Sequence, residues 1–241
     1  FQASVLTFVP MNDTCEVSQL KLTNNSSEEK TLSVFSYVEW CLWNADDDSR
    51  NFQRNYSTGE VEVVGSTIFH KTEYRERRNH YAIYSVNAEI AGFDTIREAF
   101  LGSYRGAYEP EAVEKGACTN SMASGWQPIA SHQLNITLAP GETKSYVFVL
   151  GYIENPEEEK WESYGVINKT RAYAMLDRYK TDADVEKAFA ELNDYWKKLL
   201  SKYTVKSSND KVDRMVNIWN QYQCMVTFNM SRSASYYESG I

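Results

Sequence analysis

The chain has 241 residues, of which 42% are hydrophobic and 24% charged, enough for a sizeable buried core and not the composition of a disordered chain. With 25 basic against 33 acidic residues the formal net charge is −8, which argues against a general nucleic-acid or anionic-membrane surface, since either needs clustered positive charge. No run is long and apolar enough for a membrane span, and the opening F-Q-A-S-V-L-T-F-V-P has neither a basic n-region nor a cleavage site, so a cytoplasmic location is expected.

Residues 1 to 152 read as β structure. Short runs rich in Val, Ile, Thr and aromatics are separated by turn chemistry, N-N-S-S-E-E-K at 24 to 30 and A-P-G-E at 139 to 142. In the second turn Pro140 presets φ at position i+1, and Gly141 tolerates the positive φ that a type II turn needs next. The following run places Tyr146, Phe148 and Leu150 on one face and Val147 and Val149 on the other, the pattern of a strand covered on both sides. Many antiparallel strands at this spacing imply a β-sandwich.

Near Glu154 the period changes. E-N-P-E-E-E-K-W suits a linker, and from Asp182 the residues Val185, Phe189, Leu192, Trp196 and Leu199 recur at helical spacing, with Asp182 or Asp184 placed to cap the first turn. A second helix is expected after Ser207-Ser208-Asn209-Asp210, carrying Val212, Met215, Trp219, Tyr222 and Val226. The chain thus divides into a sandwich over 1–152, a helical linker over 153–206 and the start of a helical domain over 207–241. The continuation W-N-Q-Y-Q-C-M-V-T-F-N-M lacks the charged face of a surface helix and calls for a larger helical domain around it. Both ends read as internal to a longer polypeptide.

Motifs for several chemistries are missing. His70, His80 and His132 have no G-x-S-x-G or catalytic-cysteine context and read as structural or surface histidines. No H-E-x-x-H, P-loop or G-x-G-x-x-G occurs, so neither metal nor nucleotide chemistry is expected. Cys15, Cys41, Cys118 and Cys224 form no C-x-x-C pair and read as reduced thiols. Asp46, Asp47 and Asp48 read as a solvated turn, not as a glycosidic acid with a raised pKa. Arg75, Arg77 and Arg78, interrupted by Glu73 and Glu76, read as a solvated strand end ahead of a phosphate site.

The stretch S-R-N-F-Q-R-N-Y-S-T at 49 to 58 is different. Asn51, Gln53, Arg54 and Tyr56 supply the amides, guanidinium and aromatic that sugar hydroxyls need, although composition alone favours a loop satisfying its own backbone. Trp40 and Trp43 flank it and read as core.

The runs F-S-Y-V-E-W at 35 to 40, N-F-Q-R-N-Y-S-T-G-E at 51 to 60, F-L-G-S-Y-R-G at 100 to 106 and W-N-Q-Y-Q-C-M-V-T-F-N-M-S-R-S-A-S-Y-Y-E-S-G-I at the end resemble the cellobiose phosphorylases, inverting disaccharide phosphorylases of glycoside hydrolase family 94. The resemblance spans essentially the whole chain. It implies a longer homodimeric protein with an N-terminal β-sandwich, a helical linker, an (α/α)6 barrel and a small C-terminal β domain. It implies that inorganic phosphate, a substrate and not a cofactor, attacks the anomeric carbon of cellobiose while an aspartic acid protonates the departing oxygen, giving α-glucose 1-phosphate and glucose. The family's G-R-G-x-G-F-R-D segment and general acid do not occur in this sequence, so no catalytic residue is assigned within it. By motif match, Asn51, Gln53 and Arg54 are candidate acceptor-sugar contacts on a loop that reaches the partner subunit's barrel, with Phe52 and Tyr56 holding its shape. Arg232, Tyr237 and Glu238 are placed near the barrel lining, with packing an equal alternative. Two other readings stand beside this one, a stand-alone non-catalytic carbohydrate-binding sandwich and a related hydrolase.

Overall fold

The computed structural model describes residues 1–40, 59–72, 79–125 and 128–231. The β-rich runs form β1 (Gln2–Phe8), β2 (Cys15–Thr23), β3 (Lys30–Phe35), β4 (Val38–Glu39), β5 (Gly59–Val64), β6 (Thr67–Thr72), β7 (His80–Val86), β8 (Gly92–Ile96), β9 (Ser124–Gly125), β10 (Pro128–Leu138) and β11 (Thr143–Glu154). Seven of them build an antiparallel sheet in the order β1-β2-β11-β7-β6-β5-β9. In a second antiparallel sheet β10 is central, with β3 and β4 along one edge and β8 along the other. Between the sheets lies the main core, where Val61, Ile68, Ala82, Tyr84, Val86 and Phe148 meet Ala130, Leu134, Ile136 and Leu138.

The expected turn at 139 to 142 is present, with Gly141 at φ 74° and the Glu142 amide donating to the Ala139 carbonyl at 3.0 Å. Asn24, fully buried, joins it to the turn at 24 to 30. Its Nδ2 donates to the carbonyls of Glu28 (2.7 Å) and Leu138 (3.0 Å), and its Oδ1 accepts from the Ser26 amide and hydroxyl. As the alternation predicts, β11 is covered on both sides, sitting between β2 and β7 with Val147, Phe148 and Val149 all buried.

Two short helices interrupt the β region where the sequence reads only strands, α1 (Arg97–Leu101) and α2 (Glu111–Lys115). Phe100, Leu101 and Ala112 cover Ile129 of β10, with Phe35, Tyr37 and Cys118 around them, and Tyr37 stacks on Phe100 at 5.1 Å. Each helix is only five residues long, too short for periodicity to reveal.

From Glu154 to Lys187 the chain packs on the outer face of the seven-stranded sheet. It forms a 3₁₀ turn (Glu157–Glu159), a hairpin of β12 (Trp161–Ser163) and β13 (Val166–Ile167), α3 (Thr170–Leu176), a second 3₁₀ turn (Asp177–Tyr179) and the start of α4 (Asp182–Leu200). The hairpin inside a stretch read as helical is held by tertiary contacts, described below, that no local propensity signals. Asp13, after β1, accepts from Arg178 Nη2 and from the Tyr179 hydroxyl, both at 2.7 Å. The cap of α4 is Thr181 and not an aspartate: the Thr181 hydroxyl and the Asp184 carboxylate bond each other's backbone amides, a capping box. Asp182 instead accepts from Gln19 and Ser145 at 2.7 Å each, which ties the helix start to β2 and β11.

The chain forms two compact units, Phe1–Lys187 and Ala188–Ile241. In the second, α5 (Asp210–Arg214) is capped by Asn209 and continues through a π-helical segment (Met215–Asn220) into α6 (Gln221–Ser231). Asn217, in the π segment, makes a reciprocal pair with the Val205 backbone at 2.7 and 2.8 Å. Among the described residues no helix is long and apolar enough to cross a membrane.

One buried carboxylate organises the connection between α2 and β9. Asp94, fully buried on β8, accepts from the amides and hydroxyls of Thr119 and Ser121 at 2.5 to 3.2 Å. Asp94→Ala strands these donors and should destabilise the full-length protein by about 3 kcal/mol or more. Urea unfolding measures this, and a loss below about 1 kcal/mol would show that the carboxylate does not hold the segment.

Candidate functional site

Asn51, Gln53 and Arg54 lie outside the described residues, as do Phe52, Tyr56, Trp43, Cys41 and Asp46 to Asp48. Arg75, Arg77, Arg78, Arg232, Tyr237 and Glu238 lie outside them too. The structure does describe the two points where the chain enters and leaves 41–58, Trp40 on one side and Gly59 on the other.

On the entering side, Glu39 of β4 accepts from the Tyr37 hydroxyl at 2.6 Å and from Arg97 Nε at 2.9 Å. Trp40 is in the main core, as the sequence implies, and its indole stacks on the imidazole of His70 with ring centres 5.2 Å apart and planes 15° from parallel. On the leaving side, Gly59 opens β5 against β6, and the same imidazole covers it. A Cβ at residue 59 would lie 2.1 Å from His70 Cε1 and 2.8 Å from Nδ1, so no side chain fits there. Neither Trp40 Nε1 nor His70 Nδ1, both buried, has a hydrogen-bond partner among the described residues.

Beyond Gly59, β5 is braced by an ion network. Lys71 meets Glu60 at 3.1 Å and Glu62 at 3.0 Å, while Glu62 also takes Lys169 at 2.6 Å and the Ile167 amide at 2.9 Å. Burial alone would raise the Glu62 pKa, but hydrogen bonds from Lys169, Ile167 and Lys71 outweigh it and hold the carboxyl below its usual range. Lys71 of β6 lies over the Trp161 ring at 5.5 Å, which seats the β12–β13 hairpin on β6, and the neighbouring Lys160 lies over the same ring at 4.4 Å.

The three histidines are structural, with exposures of 4% at His70, 1% at His80 and 0% at His132. Burial pushes His70 and His132 down to about 3, with the nearby His80 adding to the effect at His70. His70 and His132 are neutral rings serving packing, and His132 stacks on Tyr84 at 5.0 Å. Among the described residues no cluster of three or more His, Cys, Asp or Glu could hold a metal ion. Cys15 and Cys118 are unpaired thiols pushed up to about 12, first by burial and then by Asp13 and Asp94 respectively. A cavity of about 600 Å³ beside β7 and β11 has its central amide already spent, since Asn87 bonds the Lys180 carbonyl and the Val147 amide. Trp40, His70 and Gly59 thus form a packed base at the two described residues that border 41–58. Sequence reasoning missed Gly59 and His70 as parts of this base, and a lone glycine at a strand start gives no signal that a ring will lie on it.

Residues 1–182 match the family model described as glycosyl hydrolase 94, supersandwich domain, and residues 195–241 match that described as glycosyl hydrolase 94 superfamily, catalytic domain. The chain belongs to the glycosyl hydrolase 94 family. Over 97% of its length it is 30% identical to an N,N'-diacetylchitobiose phosphorylase of Vibrio proteolyticus, covering 27% of that protein. Two proteins of Paenibacillus borealis are also similar. One is a 3-O-beta-D-glucopyranosyl-beta-D-glucuronide phosphorylase, 27% identical over 97% of this chain and 29% of that protein. The other is a solabiose phosphorylase, 25% identical over 96% of this chain and 28% of that protein. The chain thus spans between a quarter and a third of the length of these curated relatives.

The buried neutral histidines give this glycosyl hydrolase 94 sandwich a defined acid response. An unfolded histidine titrates near 6.5, whereas folded His70 and His132 do not take a proton until about 3. Below pH 6.5 the unfolded chain therefore binds more protons, so their contribution is complete above that pH and is lost progressively as pH falls toward 3, by about 1.4 kcal/mol per pH unit for each. Urea unfolding of the full-length protein between pH 6.5 and 5 should show this slope, and His132→Phe should reduce it by one histidine's share. An unchanged slope in that variant would mean that His132 is not buried neutral.

Proposed function

We propose that this chain is the N-terminal part of an inverting disaccharide phosphorylase. The full-length enzyme cleaves cellobiose with inorganic phosphate to α-glucose 1-phosphate and glucose. The observation that carries the reading is the succession of a supersandwich match through residue 182 and a catalytic-domain match from residue 195. Relatives over almost the whole chain that bear phosphorylase names support it. These relatives are named for different sugars, so the choice of cellobiose rests on the runs at 35–40, 51–60, 100–106 and 219–241.

In this mechanism phosphate takes the place of the base-activated water of an inverting hydrolase, and a carboxylic acid protonates the leaving oxygen. The reaction needs no cofactor. We assign neither reacting group to this chain, which contributes the sandwich over 1–152, the linker over 153–206 and the opening of the barrel over 207–241. The exposed apolar side chains of the last helices, Met215, Ile218, Trp219 and Phe228, support a barrel that continues around them. Asn51, Gln53 and Arg54 are the proposed acceptor-side contacts. They serve the barrel of the partner in a cytoplasmic homodimer, where amide and guanidinium donors match sugar hydroxyls.

Arg54→Ala in the full-length enzyme tests the assignment in the synthetic direction, with phosphate release from α-glucose 1-phosphate as the readout. Loss of a charge-assisted hydrogen bond of about 1.5–3 kcal/mol should raise the glucose KM tenfold or more and leave the α-glucose 1-phosphate KM unchanged. An unchanged glucose KM removes the assignment. Cleavage of cellobiose without phosphate would instead favour a hydrolase.

A further inference from the structure

Trp40 and Gly59, the described residues that border 41–58, both pack on the ring of His70. They come from different parts of the sandwich, since Trp40 follows β4 of the second sheet while Gly59 and His70 lie on β5 and β6 of the first. His70 pairs with Val61, so Gly59 is its diagonal neighbour, and the imidazole lies over bare backbone where any side chain would collide with it. Its contact with Trp40 is a near-parallel stack at 5.2 Å. The ring is 4% exposed, in the main core region beside Val61 and Ile68, and cannot swing away without opening that core.

We propose that His70 is a positioning residue for acceptor binding: a flat ring wedged between Trp40 and Gly59 that holds in place the two described residues bordering the segment that carries Asn51, Gln53 and Arg54. The inference rests on the acceptor role proposed for that segment. A ring is required because it must meet the indole and the glycine backbone together, and glycine is required because the ring leaves no room for a Cβ. A neutral imidazole serves as well as a hydrocarbon ring of similar size, so the role needs no proton transfer.

The test uses the full-length enzyme with glucose as acceptor and α-glucose 1-phosphate as donor. His70→Ala and Gly59→Ala should each raise the glucose KM about tenfold while leaving the α-glucose 1-phosphate KM in place, because misplacing contact groups weakens only the sugar they touch. His70→Phe, which keeps a flat ring, should restore most of the glucose affinity. The Gly59→Ala/His70→Ala double variant should be no worse than His70→Ala, since the added methyl then enters space the ring has left. Trypsin cleavage after Arg50 and Arg54 reads the anchor without reference to sugar and should accelerate in His70→Ala but not in Leu134→Ala, a core variant away from this contact. Equal rises in both KM values, or cleavage no faster than in Leu134→Ala, would overturn the proposal. Faster cleavage with an unchanged glucose KM would also overturn it, and an unchanged glucose KM in Arg54→Ala would then place the failure in the acceptor role and not in the anchor.

Discussion

Every residue of β7, from His80 to Val86, is buried. A strand with no solvent face needs a cover on each side, and this requirement sets the rest of the sandwich. On one side Ala82, Tyr84 and Val86 meet the second sheet through β10. On the other, the Tyr81 hydroxyl donates to the Asn168 carbonyl, and Tyr173 of α3 stands edge-on to Phe69 of the neighbouring β6. The stretch from Glu154 to Lys187 is therefore a third layer of the sandwich. Its attachments are polar as well as apolar, since Asp13 holds Arg178 and Tyr179 while Glu62 holds Lys169 and the Ile167 amide.

The same constraint carries to the segment boundary at Trp40 and Gly59. His70 precedes Lys71 on β6, and side chains alternate along a strand, so the imidazole points into the inter-sheet core while Lys71 faces the third layer and its carboxylates. The two faces of one strand thus hold the start of β5 from opposite sides. A ring excluded from water clamps it within, and an ion network spanning β5, β6 and β13 clamps it without. Such bracing matters for the proposed acceptor contacts because polar contacts lose most of their value when displaced by about an ångström.

What the sequence reveals here follows the range of the interactions. The 139–142 turn is legible because proline and glycine act within four residues, and the β11 alternation is legible because burial on two faces leaves no polar position. The stripe of α4 is legible too, although the cap falls on Thr181 because Asp182 is drawn to Gln19 and Ser145, far away in sequence. The β12–β13 hairpin, the Asp94 cluster and the Glu62 network were illegible for the same reason. Each is a polar group answered from across the fold, and no local pattern records the answer. Asn51, Gln53 and Arg54 were distinctive in composition, yet only the resemblance to cellobiose phosphorylases gave them a role.

Two buried polar groups with no described partner, Trp40 Nε1 and His70 Nδ1, carry the argument one step further. Leaving a donor unmet in a core costs on the order of 1–3 kcal/mol, and a phenylalanine at either position would avoid that cost. These two polar rings meet at the border of the segment proposed to contact sugar, and a third, His132 of β10, lies in the inter-sheet core on Tyr84 with its Nε2 likewise unpartnered among the described residues. Geometry at this border calls for a ring thin enough to lie on Gly59 and broad enough to stack on Trp40; a phenyl ring would meet that demand too, so packing accounts for a flat ring at residue 70 and not for its nitrogens.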